Sequence, residues 1–125
     1  NKLKLEFAAD WKEIAAVSFA TQAKSFTFLD SSTVRWSHEY PLILWTDTRA
    51  QSLEPIEVPP DFRERTGMPR FGPALALMKV LWLRKHEPER LAKAERFFFI
   101  SGFLTTAFTK RHNTEAGVAA LSGAV

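Results

Sequence analysis

The chain has 125 residues, of which 46% are hydrophobic and 25% are charged, and it contains no cysteine. This apolar fraction is typical of a globular domain and excludes a disordered segment, while the lack of cysteine excludes disulfides, cysteine–zinc sites and thiol nucleophiles. The net charge of +3 arises from 17 basic and 14 acidic residues that are interspersed, so no one-sided basic stripe indicates a nucleic-acid partner. Apolar runs such as residues 97–100 are far shorter than the roughly 20 residues of a membrane span, so we expect a soluble protein.

The first half of the chain is predicted to form one short helix and several short strands. Residues 9–16 have loose helical spacing, with Asp10 in the place of an N-cap. Residues 16–20 are then predicted to be a buried strand. Residues 25–29 alternate and are rich in aromatic and β-branched side chains, which predicts a second strand. A third apolar run at Leu42–Trp45 is short and follows a proline.

The second half of the chain is predicted to be more helical. Five prolines lie within residues 51–73, so this stretch is predicted to be mostly loop with at best short helical turns. Residues 74–83 form a strong helix pattern that is apolar on nearly every side, which predicts extensive burial. Another helix begins around Pro88, residues 96–100 are a fourth strand candidate, and residues 103–108 suggest a further helix. Short strands followed by helices predict an α/β arrangement.

The sequence carries no self-sufficient catalytic or metal-binding motif. None of the five glycines forms a Gly-x-Gly or Walker pattern that would cradle phosphates. The three histidines, His38, His86 and His112, are far apart in the sequence and are interpreted as surface residues. No Gly-x-Ser-x-Gly elbow is present, which argues against a serine hydrolase. We therefore predict no catalytic residue and no metal ligand in this chain.

Two polar clusters at predicted strand ends could instead bind a ligand. Trp45, Asp47 and Arg49 follow the third apolar run, and such side chains at the carboxyl end of a strand are typical of a polyol site. The alternative is a core-anchoring tryptophan beside a local Asp–Arg pair. Gln22 and Lys24 lie between two predicted strands and could present polar groups, although a plain strand connection explains them as well.

Six segments carry a family resemblance in consistent order. They are the strand–loop–strand of residues 14–30, the Trp-x-Asp-x-Arg segment of residues 41–50, the Thr-Gly-x-Pro of residues 66–69, the run of residues 79–94 with its Trp-Leu and Glu-Pro-Glu, the strand and helix of residues 98–108, and the Thr-Glu-Ala-Gly of residues 114–117. Together they resemble the FGGY family of carbohydrate kinases. The resemblance implies a partial ribonuclease H-like domain of the actin-like ATPase superfamily, with a mixed sheet and packed helices.

The resemblance also implies an activity for a longer parent protein. Residues 1–125 would be part of the N-terminal sugar-binding domain. The phosphate-binding loop, the catalytic aspartate and the ATP-binding C-terminal domain would lie outside this chain. The parent would transfer the γ-phosphate of ATP, with Mg²⁺, to a hydroxyl of a sugar, polyol or sugar acid. The chain alone is expected to be inactive and to bind neither ATP nor Mg²⁺, and the parent is expected to be cytoplasmic.

The implied site residues and partners follow from the same motifs. The substrate-binding residues would be Gln22, Ala23, Lys24, Trp45, Asp47 and Arg49. The partners would be a sugar or polyol substrate, the rest of the parent kinase and, as an open option, a second copy in a homodimer, with no nucleic acid and no membrane. Ala23-Lys24 and Ser101-Gly102 depart from the residues usual in the family, so they leave the identity of the sugar open.

Two other functions stay open on the sequence. The first is a non-catalytic sugar-binding or regulatory module derived from a degenerate kinase, which the departures at residues 23–24 and 101–102 favour. The second is an interaction domain without a ligand, in which the apolar helix at residues 74–83 would be a partner surface.

Overall fold

The computed structural model describes Glu6, residues 10–29 and residues 39–123, and all that follows concerns these residues. They form a mixed α/β structure with two strands and five α-helices. The predicted α/β class is therefore confirmed. None of the helices in these ranges is both long and apolar enough to span a bilayer.

A short antiparallel sheet lies at the centre of the described structure. Strand β1 (Phe26–Leu29) pairs with strand β2 (Arg96–Phe99), with Phe26 opposite Phe99. All four residues of β1 are buried. Aromatic residues face each other across the two strands, and such cross-strand pairs stabilise a sheet. The strand predictions at residues 25–29 and 96–100 are confirmed in this core.

Five α-helices surround this sheet and its connections. They are α1 (Phe62–Thr66), α2 (Ala76–His86), α3 (Pro88–Ala92), α4 (Ile100–Thr109) and α5 (Ala116–Ala120). As predicted, the proline-rich stretch contains only one short helix, and Pro88 begins α3 because its fixed φ and missing N–H suit a first helical position. Two 3-10 helices, Asp10–Glu13 and Arg49–Ser52, complete the regular structure.

Four predicted elements differ from the structure. Residues 16–20 form no strand, because no neighbouring strand pairs with them in the described ranges. They are not buried either, since Val17 is 63% exposed. At Leu42–Trp45 only the isolated bridge between Ile43 and Phe26 forms, since Pro41 has no N–H to donate and a turn follows at once. Of the helix predicted at residues 9–16, the described residues form only the 3-10 helix Asp10–Glu13. Residue 9, where the predicted helix begins, lies outside the described ranges. Helix α4 begins at Ile100, which was predicted to end the strand.

The hydrophobic core joins α2 to the sheet. Phe26, Phe28 and Phe99 pack with Tyr40, Ile43, Ala76 and Leu83. The composition predicted extensive burial of helix α2, but only four of its eleven residues are buried. One of those four is a charged residue, Lys79, which brings α2 into contact with the residues described next.

Candidate functional site

A pair of backbone hydrogen bonds brings the two polar clusters of the sequence side by side. Phe26 donates from its N–H to the carbonyl of Ile43 at 3.0 Å, and Ile43 donates back at 2.8 Å. The residues before Phe26 therefore run alongside the residues after Ile43. The structure thus brings together the predicted residues around Gln22 and those around Trp45.

Trp45 lies in a tight turn and presents its ring to solvent. The N–H of Asp47 donates to the carbonyl of Leu44 at 3.0 Å, which closes the turn with Trp45 and Thr46 at its centre. Trp45 remains 46% exposed. An exposed indole is an apolar, flat surface with no core to anchor, so the interpretation of Trp45 as a core residue does not fit the structure.

A buried serine connects Trp45 to the Gln22 segment. The N–H of Trp45 donates to Ser25 Oγ at 3.1 Å, and Ser25 Oγ donates to Gln22 Oε1 at 3.3 Å. Gln22 itself is exposed, although its Oε1 accepts this bond. Ser25 therefore links Gln22 to the backbone of Trp45.

Ala23 and Lys24 form a turn between Gln22 and Ser25. Ala23 is exposed and Lys24 is half-buried. Lys24 adopts a left-handed backbone conformation with φ of +68°, which is uncommon for a residue other than glycine, asparagine or aspartate. Its ammonium has no hydrogen-bond partner among the described residues. Unusual backbone conformations concentrate at ligand sites, which is consistent with a role for Lys24 in binding.

A buried lysine lies beneath the Trp45 turn. Lys79 is 0% exposed and donates to three carbonyl oxygens, those of Trp45 at 3.1 Å, Pro73 at 3.2 Å and Ala74 at 3.1 Å. Burial lowers the pKa of the Lys79 ammonium, the carboxylate of Asp47 opposes that shift, and the positive charges of Lys24 and Arg49 add to it. The sequence analysis did not single out Lys79. Lys79 is the only charged residue in the apolar run of residues 74–83, and this was the signal that could have identified it.

Asp47 and Arg49 form a close ion pair at the edge of the same turn. Arg49 donates from Nε to Asp47 Oδ1 at 2.9 Å and from Nη2 to Oδ2 at 3.0 Å, a two-point geometry that is among the stronger polar contacts in proteins. The Arg49 side chain holds the pKa of the Asp47 carboxyl below its usual value. The carboxylate is therefore ionised at neutral pH, and each partner already satisfies much of the other's hydrogen bonding.

The other side of Arg49 packs on helix α2. The guanidinium lies 5.1 Å from the ring centre of Trp82, and its Nη1 is 3.9 Å from Glu87 Oε1. Trp82 in turn donates from Nε1 to Ser52 Oγ at 3.2 Å. Trp82 and Glu87 line an open depression with residues 46–49, and the sequence analysis gave neither a place in the site.

The described residues do not suit a metal ion or a nucleotide phosphate. No three histidine, aspartate or glutamate side chains within the described ranges lie close enough together to hold a metal. The sequence also has no glycine-rich phosphate loop. What the arrangement offers is an apolar ring beside amide, ammonium and carboxylate groups, which is the chemistry that recognises a polyhydroxylated molecule.

The whole chain matches a known family. The sequence profile described as the FGGY family of carbohydrate kinases, N-terminal domain, matches residues 3–125. The chain belongs to this family. The resemblance carried by the six ordered motifs is thereby confirmed, and so is the assignment to kinases of carbohydrate metabolism. The Trp-x-Asp-x-Arg segment of that resemblance, with Trp45, Asp47 and Arg49, is the segment whose geometry is described above.

A curated relative agrees with the family assignment. The chain is 29% identical over 121 residues to a xylulose kinase of Lactococcus lactis subsp. lactis (strain IL1403), a match that covers 94% of this chain. The matched region is 23% of that kinase, so the chain spans about a quarter of the length of this relative. No solved structure matches the chain significantly.

Proposed function

We propose that this chain supplies the sugar-holding side of the acceptor site in a carbohydrate kinase. The full-length protein would transfer the γ-phosphate of ATP to a hydroxyl of a sugar, polyol or sugar acid. The observation that carries the proposal is the exposed Trp45, whose backbone N–H is bonded to Ser25 directly after the Gln22–Lys24 turn, in a member of a carbohydrate kinase family. Residues 1–125 would form part of an N-terminal sugar-binding domain with a ribonuclease H-like sheet.

The chemistry of the exposed groups suits a sugar. The C–H face of a sugar ring can lie on the Trp45 indole, and this contact removes apolar surface of both partners from water. The Gln22 amide can donate to and accept from hydroxyls, and the Lys24 ammonium can donate to them. The backbone of Ala23 lies between these two side chains, so the turn would follow the sugar's edge.

The Asp47–Arg49 pair would form the rim of this site. Their side chains are 23% and 26% exposed, so each still has hydrogen-bonding capacity toward solvent. The carboxylate can accept from a sugar hydroxyl, and the pair keeps the Trp45 turn closed at its far end. Because Arg49 is already packed against Trp82, we expect it to contribute more through Asp47 than through direct contact.

The proposed contribution to the reaction is positioning of the acceptor. Phosphoryl transfer depends mainly on alignment of the reacting groups and on charge stabilisation. FGGY kinases generally use ATP and Mg²⁺, and the described residues do not fit either one. The described residues of this chain would therefore act by holding and orienting the acceptor hydroxyl.

A degenerate, non-catalytic sugar-binding module is the second candidate. It is favoured by Ala23-Lys24 and Ser101-Gly102, which depart from the residues usual at these positions. Part of this departure has a structural explanation. A β-carbon at Gly102 would lie 2.8 Å from the Asn113 carbonyl oxygen, so the close approach of α4 to residue 113 requires glycine there. Loss of catalysis is not needed to account for Gly102.

Replacement of Trp45 in the full-length protein tests the site. We expect Trp45→Ala to raise the KM for the acceptor about tenfold or more, because the stacking surface is removed, and to leave the KM for ATP unchanged. Trp45→Phe keeps an aromatic face and should lose less. Steady-state kinetics with each substrate varied in turn provide the measurement. An equal rise in both KM values, or no change in either, would contradict the assignment.

A further inference from the structure

Both peptide groups of Trp45 are held by side chains from outside its own turn. The N–H donates to Ser25 Oγ and the carbonyl accepts from Lys79 Nζ. We propose that Ser25 and Lys79 are positioning residues, which set the direction in which the Trp45 ring is presented to the acceptor. This inference rests on the proposed function for its role in sugar binding, whereas its structural part can be tested without a sugar.

Ser25 is suited to hold the N–H side. It is 1% exposed, so its hydroxyl cannot exchange its protein partners for water without opening the site. The hydroxyl accepts from Trp45 and donates to Gln22, so its proton and one of its two lone pairs are used. Ser25 therefore couples the position of the Trp45 backbone to the position of the Gln22 amide.

Lys79 is suited to hold the carbonyl side. An ammonium group has three N–H donors, and all three are directed at carbonyl oxygens. Two of those oxygens, at Pro73 and Ala74, belong to the segment that leads into α2, so the third bond fixes Trp45 relative to the helix. Burying a cation near the N-terminus of a helix is unfavourable, and an apolar residue would suit the core better. The bond to Trp45 offers a reason for a lysine at this position.

The two bonds together restrict the torsions on either side of the Trp45 α-carbon. Trp45 itself is 46% exposed, and its ring makes no hydrogen bond to any of the described residues. A ring whose backbone is already fixed loses less freedom when a ligand binds, and this preorganisation increases affinity. Loss of either bond should therefore weaken acceptor binding through Trp45 and leave nucleotide binding unaffected.

The test uses Ser25→Ala in the full-length protein, with Ser25→Thr as the variant that keeps the hydroxyl. Thr106→Val is the matched control, because Thr106 in α4 is 2% exposed and also has a buried hydroxyl, which donates to the carbonyl of Arg111 just beyond that helix. Tryptophan labelled with fluorine allows the Trp45 resonance to be followed by NMR, once Trp45→Phe has identified it among the other tryptophans. We expect Ser25→Ala to shift or broaden this resonance, and Ser25→Thr and Thr106→Val to leave it in place.

The kinetic part of the test is a double-mutant cycle. We expect Ser25→Ala to raise the acceptor KM about fivefold or more at constant ATP KM. In a Trp45→Ala background the same change should have a smaller effect, since only the bond from Ser25 to Gln22 then remains to be lost. The positioning role would be overturned if Ser25→Ala raised the acceptor KM by the same factor in both backgrounds. It would also be overturned if that rise were no larger than the rise caused by Thr106→Val.

Lys79→Met gives an independent check of the carbonyl side. It should shift the same Trp45 resonance and lower the melting temperature, because three carbonyls lose their donor. If this variant does not fold, the Ser25 variants still decide the inference. If the Trp45 resonance does not move in Ser25→Ala, the positioning inference is overturned, and this holds for any acceptor that the protein phosphorylates. A shifted resonance in a protein that phosphorylates no acceptor would support the structural role and contradict the proposed function.

Discussion

At the scale of single residues, the Asp47–Arg49 pair illustrates how sequence spacing produces a defined contact. Only Thr48 lies between them in the sequence, and the 3-10 helix that begins at Arg49 turns the guanidinium back onto the carboxylate. The sequence predicted that these residues would be near one another. It could not predict that Arg49 would pack on Trp82, because that contact depends on how α2 lies against the turn. Lys79 was missed for the same reason.

Replacement of Asp47 should reveal a pH-dependent contribution to stability. The folded state holds the Asp47 pKa below its usual value of 3.8, so the carboxylate stabilises the fold at pH values above 3.8. That contribution is lost as the pH falls through the lowered folded value. We expect Asp47→Asn to cost about 0.5–1 kcal/mol near neutral pH, since the pair is partly exposed. The difference from the unsubstituted protein should shrink in strong acid.

Urea unfolding followed by tryptophan fluorescence, at neutral pH and well below pH 3.8, provides the measurement. Glu57→Gln is the control, because Glu57 is exposed and has no ion pair within the described part of the chain. A destabilisation by Asp47→Asn that is the same at both pH values would show that the carboxylate charge contributes nothing.

At the scale of elements, local sequence patterns predicted where strands and helices lie along the chain better than they predicted which strands pair. The aromatic runs at Phe26–Leu29 and Arg96–Phe99 were predicted as strands, and helix α2 was predicted within two or three residues of its ends. The partner and direction of each strand depend on contacts between residues about 70 positions apart, which a local pattern does not contain. The segment at residues 16–20 has a strand composition but no partner in the described ranges, so composition alone gave a wrong prediction.

The close approach of α4 to the segment before α5 gives a prediction at this scale. Gly102→Ala would place a β-carbon 2.8 Å from the Asn113 carbonyl oxygen, so we expect a loss of about 1–3 kcal/mol in stability. This loss should exceed the gain of about 1 kcal/mol that alanine has over glycine in a helix. Thermal unfolding of the two proteins provides the measurement.

Gly72→Ala is the matched control for this change. A β-carbon at Gly72 would have no atom within 4 Å, so alanine there should be neutral or stabilising by up to about 1 kcal/mol. Equal melting temperatures for the Gly102→Ala and Gly72→Ala proteins would contradict the account of the α4 contact.

At the scale of the whole molecule, the described fold brings together two polar turns that lie about 20 residues apart in the sequence. The antiparallel pair, the Ile43 bridge and helix α2 together place the Trp45 turn beside the Gln22–Lys24 turn. The individual motifs were weak signals, and their common order was the strong one, because an ordered set fixes the spacing of several elements at once. The family profile matches residues 3–125, a range that contains all six segments.

The central claim is that this chain holds the acceptor in a carbohydrate kinase. The most direct measurement is acceptor-dependent formation of ADP by the full-length protein with ATP and Mg²⁺, over pentuloses, aldonates, glycerol and other polyols. We expect turnover with at least one acceptor, and a raised KM for that acceptor alone in Trp45→Ala. No ADP formation above the acceptor-free rate with any of them would contradict the claim.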